Sequence, residues 1–205
     1  MKRSKHLIKI GITGGIGSGK STVCQLFRVH GIPVFCADTE AKKLNDSSPV
    51  ICEQLSLLFG SDLYKDNCLN RQKLASIIFS NPTYLQQVNA IIHPEVAKLF
   101  EEWANQQKNA PFVIIDAPVL FEAGFDALVD KTITVYASKE TRLERIEKRD
   151  NINAAQIEAR MNSQLPENEK MQRSNFVIMN DNRTSLIAQI AALMDEISCE
   201  VVLKF

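Results

Sequence analysis

The chain has 205 residues, 45% of them hydrophobic and 7% aromatic, and its 24 basic and 24 acidic side chains cancel. A chain of this length buries about 70% of its unfolded surface, enough for one α/β domain without a disulfide framework or a structural metal. The charge balance excludes the basic stripe of a nucleic-acid binder and the polybasic patch of a membrane-surface protein, and no run approaches the ~18 apolar residues of a membrane span.

The first strand is predicted over residues 8–12, where Ile8, Ile10 and Ile12 alternate. Met1-Lys2-Arg3-Ser4-Lys5 carries the charge of a signal-peptide start. Lys9 interrupts the apolar run behind it, however, and a glycine-rich loop follows at once, so the run reads as a structural strand. That loop, Gly14-Gly15-Ile16-Gly17-Ser18-Gly19-Lys20-Ser21, fits the phosphate-binding pattern G-x-x-x-x-G-K-[ST] in full, with a helix predicted after it to about His30. Glycines let consecutive backbone N–H groups turn inward around phosphate oxygens. The helix N-terminus adds partial positive charge, and Lys20 adds a full one that reaches the β- and γ-phosphates. Ser21 can place its hydroxyl on Mg²⁺. Gly15, Ile16, Gly17, Ser18, Gly19, Lys20, Ser21 and Thr22 are therefore expected to hold a nucleoside triphosphate with Mg²⁺.

A second strand is predicted over residues 33–36 and a polar turn over 45–49. From residue 50 to about 107 the spacing of Ile51, Leu55, Leu58, Phe59, Leu74, Ile77, Ile78, Leu85, Val88, Ile91 and Ile92 is helical. Pro82 and Pro94 are expected to open new helices at their first turn. Residues 112–115 are all apolar and lead to Asp116, which suits a strand buried on both faces. Further strands are predicted over 132–136 and 176–179, and residues 199–203 fit either a short strand or a helix end. Strands alternating with helices behind a phosphate loop imply a parallel sheet covered on both faces, with ligands at the carboxyl ends of its strands.

The chain contains neither N-K-x-D nor D-x-x-G, which argues against a guanine-nucleotide switch. Asp38 lies just past the second strand and Asp116 ends the third. Phosphoryl transfer to a small acceptor needs a carboxylate to take the acceptor's proton and another oxygen ligand for a metal, and these two are the candidates: Asp38 for the base, Asp116 for Mg²⁺. The competing reading of either carboxylate is a helix cap or a loop hydrogen bond. Downstream, Arg142, Arg145 and Arg149 fall on one helical face, with Arg160, Lys170 and Arg173 beyond. Glu140, Glu144 and Glu147 are interleaved, so a solvated, salt-bridged helix competes with a phosphate-facing one. The polar segment 150–174 has the layout of a lid.

These residues resemble the dephospho-coenzyme A kinase family along nearly the whole chain. The resemblance is carried by the loop from Gly11 to Thr22, by Ala37-Asp38, and by Arg71, Leu74, Phe79, Pro82, Asn89, Ile92, His93 and Pro94. Pro118-Val119-Leu120-Phe121-Glu122, Arg149-Asp150, Arg160, Gln164 and Lys170 continue it in order and spacing. It implies a three-layer α/β/α P-loop kinase with a parallel, about five-stranded sheet. The implied core is 1–45, 108–141 and 175–205, with a helical acceptor-binding insertion at about 46–107 and a lid at about 142–174. The implied reaction transfers phosphate from ATP to the ribose 3′-hydroxyl of 3′-dephospho-coenzyme A. Asp38, Lys20 and Arg149 are then the catalytic residues, and Arg142 and Asn180 meet the nucleotide. Asp38, Arg71, His93, Pro118, Leu120 and Arg160 meet the acceptor, and Ser21 and Asp116 hold Mg²⁺. His93 also fits a structural histidine at a helix junction, and Asn180 a polar turn residue.

Three departures from the family pattern stand out. Cys36 stands for an Asp, Val119 for a Leu, and Ser174-Asn175 for Ala-Asp, whose role is lost or passes to Asn175. A nucleoside monophosphate kinase on the same scaffold, or a nucleotide-binding regulator without turnover, would share the phosphate loop. Five cysteines, odd in number and without a C-x-x-C pair, point to reduced thiols and a cytoplasmic protein, monomeric by default, with no nucleic-acid or membrane partner.

Overall fold

The computed structural model describes residues 7–66, 68–150, 157, 158, 161 and 164–203. Contacts divide the chain into two units, residues 1–35 with 104–205, and residues 36–103.

The first unit is built on short runs of aliphatic residues. β1 (Ile8–Thr13) pairs in parallel with β5 (Phe112–Asp116) on one side and β6 (Lys131–Tyr136) on the other, and β6 pairs in parallel with β7 (Phe176–Met179). β2 (Val34–Cys36) completes a five-stranded sheet in the order β2-β5-β1-β6-β7. Every residue of β5 is buried, as a strand covered on both faces requires. α1 (Lys20–Val29) and α8 (Leu186–Leu203) cover one face, with Val23, Cys24, Phe27, Ile190, Leu193 and Ile197 packed on Ile10, Ile12, Ile114 and Ile133. α6 (Lys139–Asp150) follows β6, and α7 (Glu167–Arg173) precedes β7. The tail over residues 199–203 is the end of α8, not a strand. Among the described residues no helix is long and apolar enough to cross a membrane.

The second unit holds α2 (Ala37–Ser47), α3 (Pro49–Phe59), a two-stranded ribbon of β3 (Tyr64–Lys65) and β4 (Cys68–Leu69), α4 (Arg71–Ser80) and most of α5 (Pro82–Gln106). It departs from the sequence expectation in three places. The polar stretch predicted as a turn at 45–49 is helical through Ser47, and only Ser48 breaks the chain, accepting a bond from the Ile51 N–H as the cap of α3. The ribbon bonds to it at two points: the Tyr64 hydroxyl donates to the Asn45 carbonyl (3.0 Å), and the Leu69 N–H donates to Asp46 (3.0 Å). Those tertiary bonds outweigh a local turn preference. The ribbon itself interrupts a block that reads as wholly helical.

Pro94 does not open a helix, because α5 runs through it. An interior proline costs about 3 kcal/mol or more. Val88, Ile92, Val96 and Phe100, four residues apart, are all buried on one face of α5. Burying such side chains stabilises by about 1.5–3 kcal/mol each, which exceeds the cost of the proline.

Candidate active site

The register of β1 against β5 sets the site. Ile12 lies opposite Asp116, and the Ala117 N–H donates to the Ile12 carbonyl (3.0 Å), so the two strands end side by side as the phosphate loop departs. Gly19 caps α1 at φ +88°, where a Cβ would run into the Asn180 amide nitrogen. No side chain caps this helix end and its first turn holds no acid, which leaves its N–H groups to an anion. The Ser18 hydroxyl is buried in the loop without a partner among the described residues. Ser21 and Thr22 are exposed on the first turn. These features fit a triphosphate.

Side chains from later segments hold the loop from outside. The Asn180 amide donates to the Ser18 carbonyl (2.7 Å), and Gln164 accepts the Ile16 N–H (3.0 Å). Arg145 donates to the carbonyls of Gly17 (3.4 Å) and Ser18 (3.3 Å), to the Asn180 carbonyl (3.0 Å) and to the Asn182 side chain (2.7 Å). Asn180 is thus fixed between the loop and Arg145 as well as standing past β7.

Lys20, the first residue of α1, forms an ion pair with Asp116, the last of β5, with both side chains nearly buried. Cys24, one turn along α1, is wholly buried beside Asp116, and burial above all pushes its thiol up, so it stays protonated. Among the described residues no three His, Cys, Asp or Glu side chains gather into a metal cage. The hard oxygens present, the Ser21 hydroxyl and the Asp116 carboxylate, fit Mg²⁺, which keeps water and phosphate oxygens as its remaining ligands.

The structure separates the three arginines expected on one face. Arg142 is buried and paired with Glu167 of α7 at 3.4 Å. Arg145 clamps the loop, and Arg149 is exposed in the last turn of α6. Gly15 sits against the Arg142–Glu167 pair so closely that a Cβ would overlap both side chains. Burial raises the Glu167 carboxyl above its ordinary range, against the opposing pull of Arg142, Lys170 and a bond from the Gly15 N–H. A cleft of about 330 Å³ lies beside the pair, lined by Lys139, Arg142, Gln164 and Glu167 among others. Arg160 lies outside the described residues.

Past β5, the Pro118 carbonyl accepts the Thr13 hydroxyl (3.0 Å). Leu120 is wholly buried with its methyls against Gly11, so its side chain packs the core beneath the segment instead of lining an open surface. Asn175 takes a structural role: its side chain accepts the Thr132 N–H (2.8 Å) and clasps the starts of β6 and β7.

Within the second unit, Asp38 is exposed in the first turn of α2, and the Thr39 hydroxyl donates to the Cys36 sulfur (3.2 Å). Arg71, the first residue of α4, donates to Asp46 (2.6 Å) and to the Lys42 carbonyl (3.1 Å). His93 is half-buried in α5, and burial lowers its pKa, so a neutral imidazole stands there at pH 7. The acidic partners Glu167 and Asp46 and the anchor Asn182 carried no signal in the sequence, since each owes its role to a residue far along the chain.

Residues 8–185 match a family model described as dephospho-CoA kinase. A dephospho-CoA kinase of Bacteroides fragilis (strain YCH46) is 43% identical over 187 residues, covering 91% of each chain. The crystal structure of a Thermus thermophilus protein superposes with a TM-score of 0.80 at 36% identity, over 94% of this chain and 98% of that one. The dephospho-CoA kinase of Campylobacter jejuni does so with a TM-score of 0.67 at 28% identity and the same coverage. Likeness of this extent, in sequence and in structure, means that the chain belongs to the dephospho-CoA kinase family, and its reaction is the ATP-dependent phosphorylation that completes coenzyme A.

Proposed function

We propose that the ribose 3′-hydroxyl of dephospho-coenzyme A attacks the γ-phosphorus of ATP in line, and that Asp38 takes the hydroxyl proton. A ribose hydroxyl is a poor nucleophile at neutral pH, so a carboxylate base and a fixed approach are what the protein must supply. Asp38 is exposed at the start of α2, directly after β2 ends, which supports that role. The observation that carries the reading is the Lys20–Asp116 pair at the foot of an uncapped phosphate loop. With ATP bound, Lys20 would exchange Asp116 for the β- and γ-phosphate oxygens. Ser21 and the Asp116 carboxylate would hold Mg²⁺, which would supply neutralisation of the charge on the transferring group.

Residues 46–107 form the acceptor-binding insertion in this reading, with Arg71 gripping a phosphate of the acceptor and neutral His93 hydrogen-bonding to it. Residues 142–174 act as the lid, where Arg142, Arg149 and Arg160 meet the phosphates, and Pro118 and Leu120 belong to the segment that the acceptor contacts. The protein works as a cytoplasmic monomer. Incubation with ATP, Mg²⁺ and 3′-dephospho-coenzyme A is expected to yield ADP and coenzyme A in equal amounts. Dominant phosphorylation of a nucleoside monophosphate, or ATP binding without turnover, would overturn the reading.

A further inference from the structure

Lys170, in the middle of α7, is wholly buried. Its ammonium donates to the Pro118 carbonyl at 2.7 Å and pairs with the Glu122 carboxylate at 3.0 Å. Both partners are themselves tied: the Pro118 carbonyl also accepts the hydroxyl of Thr13, the last residue before the phosphate loop, and Glu122 accepts the Leu165 N–H (2.9 Å). The helix end of the link is fixed by the Thr134 hydroxyl, which donates to the Lys170 carbonyl (3.2 Å). One turn on, Arg173 lies over the Phe121 ring, 4.4 Å from its centroid, and reaches Asp126 (3.4 Å). α7 therefore fastens the segment after β5 at four residues: Pro118, Phe121, Glu122 and Asp126.

An ammonium out of water is costly unless it is paired and hydrogen-bonded, and an apolar side chain of similar volume would fill the place without that cost. What the charge adds is direction. It aims one carbonyl, two residues past Asp116, at two donors, and so fixes how the strand-end carboxylate and the phosphate loop leave the sheet together. The same short helix presses Glu167 against Gly15.

We propose that Lys170 is a positioning residue for phosphoryl transfer: it touches no reacting atom, and its buried ammonium locks the 117–122 segment to α7 so that Asp116 is held for the metal and the backbone at Pro118 for the acceptor. The proposal rests on the reading of Asp116 and Pro118 as site residues. The test compares Lys170→Met, Glu122→Gln, the double variant and Asp116→Asn in the full chain, each shown to be folded by its melting transition. Lys170→Met is expected to lower kcat/KM for dephospho-coenzyme A by ~30-fold or more while KM for ATP stays within about twofold. Adding Glu122→Gln is expected to lower kcat/KM by less than about twofold further, because both residues act through the same link. Parent values of kcat and acceptor KM in folded Lys170→Met overturn the proposal, as does a rise in KM for ATP as large as that for the acceptor. If Lys170→Met does not fold, Glu122→Gln alone decides: a rise of ~3-fold or more in acceptor KM supports the proposal and a parent value overturns it. An impaired Asp116→Asn beside an unimpaired Lys170→Met defeats the positioning role alone. An unimpaired Asp116→Asn defeats the reading of the site.

Discussion

Lys20 and Asp116 close an ion pair between the first residue of α1 and the last residue of β5, with both side chains nearly out of water. The pair exists because β1 and β5 end in register, so a loop leaving one strand must pass the carboxylate that ends the other. It keeps each charge compensated, and in the proposed reaction a triphosphate takes the place of Asp116 at Lys20.

Replacing Lys20 with Met should therefore have two separable effects. Removing one partner of a buried pair costs about 3–5 kcal/mol, which urea denaturation of the nucleotide-free protein would read. Loss of the cation should lower kcat/KM for ATP by on the order of 10²-fold or more. The double variant Lys20→Met with Asp116→Asn is expected to regain much of the stability and none of the activity.

Asp38→Asn keeps shape and hydrogen-bonding reach but cannot accept the hydroxyl proton. Turnover is expected to fall by on the order of 10²-fold or more, while ATP affinity measured by calorimetry stays at the parent value. Unchanged turnover would remove Asp38 as the base.

Arg71 pairs with Asp46 at 2.6 Å, but both side chains are open to solvent, at 53% and 31% exposure. An ion pair of that kind contributes less than about 1 kcal/mol, so Arg71→Ala should leave the melting temperature nearly unchanged. If Arg71 grips the acceptor, the same variant raises KM for dephospho-coenzyme A by ~10-fold or more and leaves KM for ATP alone. Asp46 gives an independent check of the geometry. The Leu69 N–H above all holds its carboxyl below the ordinary range, against burial, with Arg71 adding to the lowering. A lowered folded pKa means stability that is present above the ordinary value of about 3.9 and lost as pH falls through the folded one. Asp46→Asn should remove that acid-side loss in a thermal melt series.

Glu167 has the opposite sign. Burial raises its carboxyl in the folded state despite Arg142 and Lys170. Upward from the ordinary glutamate pKa of about 4.3, the folded chain then holds a proton that the unfolded chain has released. Stability is thus full below that value and declines as pH rises through the folded pKa. Glu167→Gln should flatten this part of the melting-temperature profile, and an unchanged slope would show that the carboxylate ionises normally against Gly15.

Local residue pattern was enough to place the phosphate loop, the strands around it, the carboxylate that ends β5 and the family itself, because each depends on neighbours a few positions away: glycines for a positive φ, β-branched runs for buried strands, a lysine at the head of a helix. The second unit was less legible. The helix through Asn45 and Asp46 and the ribbon that bonds to them depend on bonds spanning about twenty residues, and the unbroken α5 depends on burial that outweighs its proline. The arginines show the limit most clearly. Helical spacing put Arg142, Arg145 and Arg149 on one face, but only packing could make the first a partner of Glu167, the second a clamp on loop carbonyls and the third an exposed residue. Spacing fixes where a side chain starts. The charge or carbonyl it meets comes from distant segments of the chain, so tertiary structure alone decided those roles, as it decided that Lys170 is buried against Pro118 and Glu122.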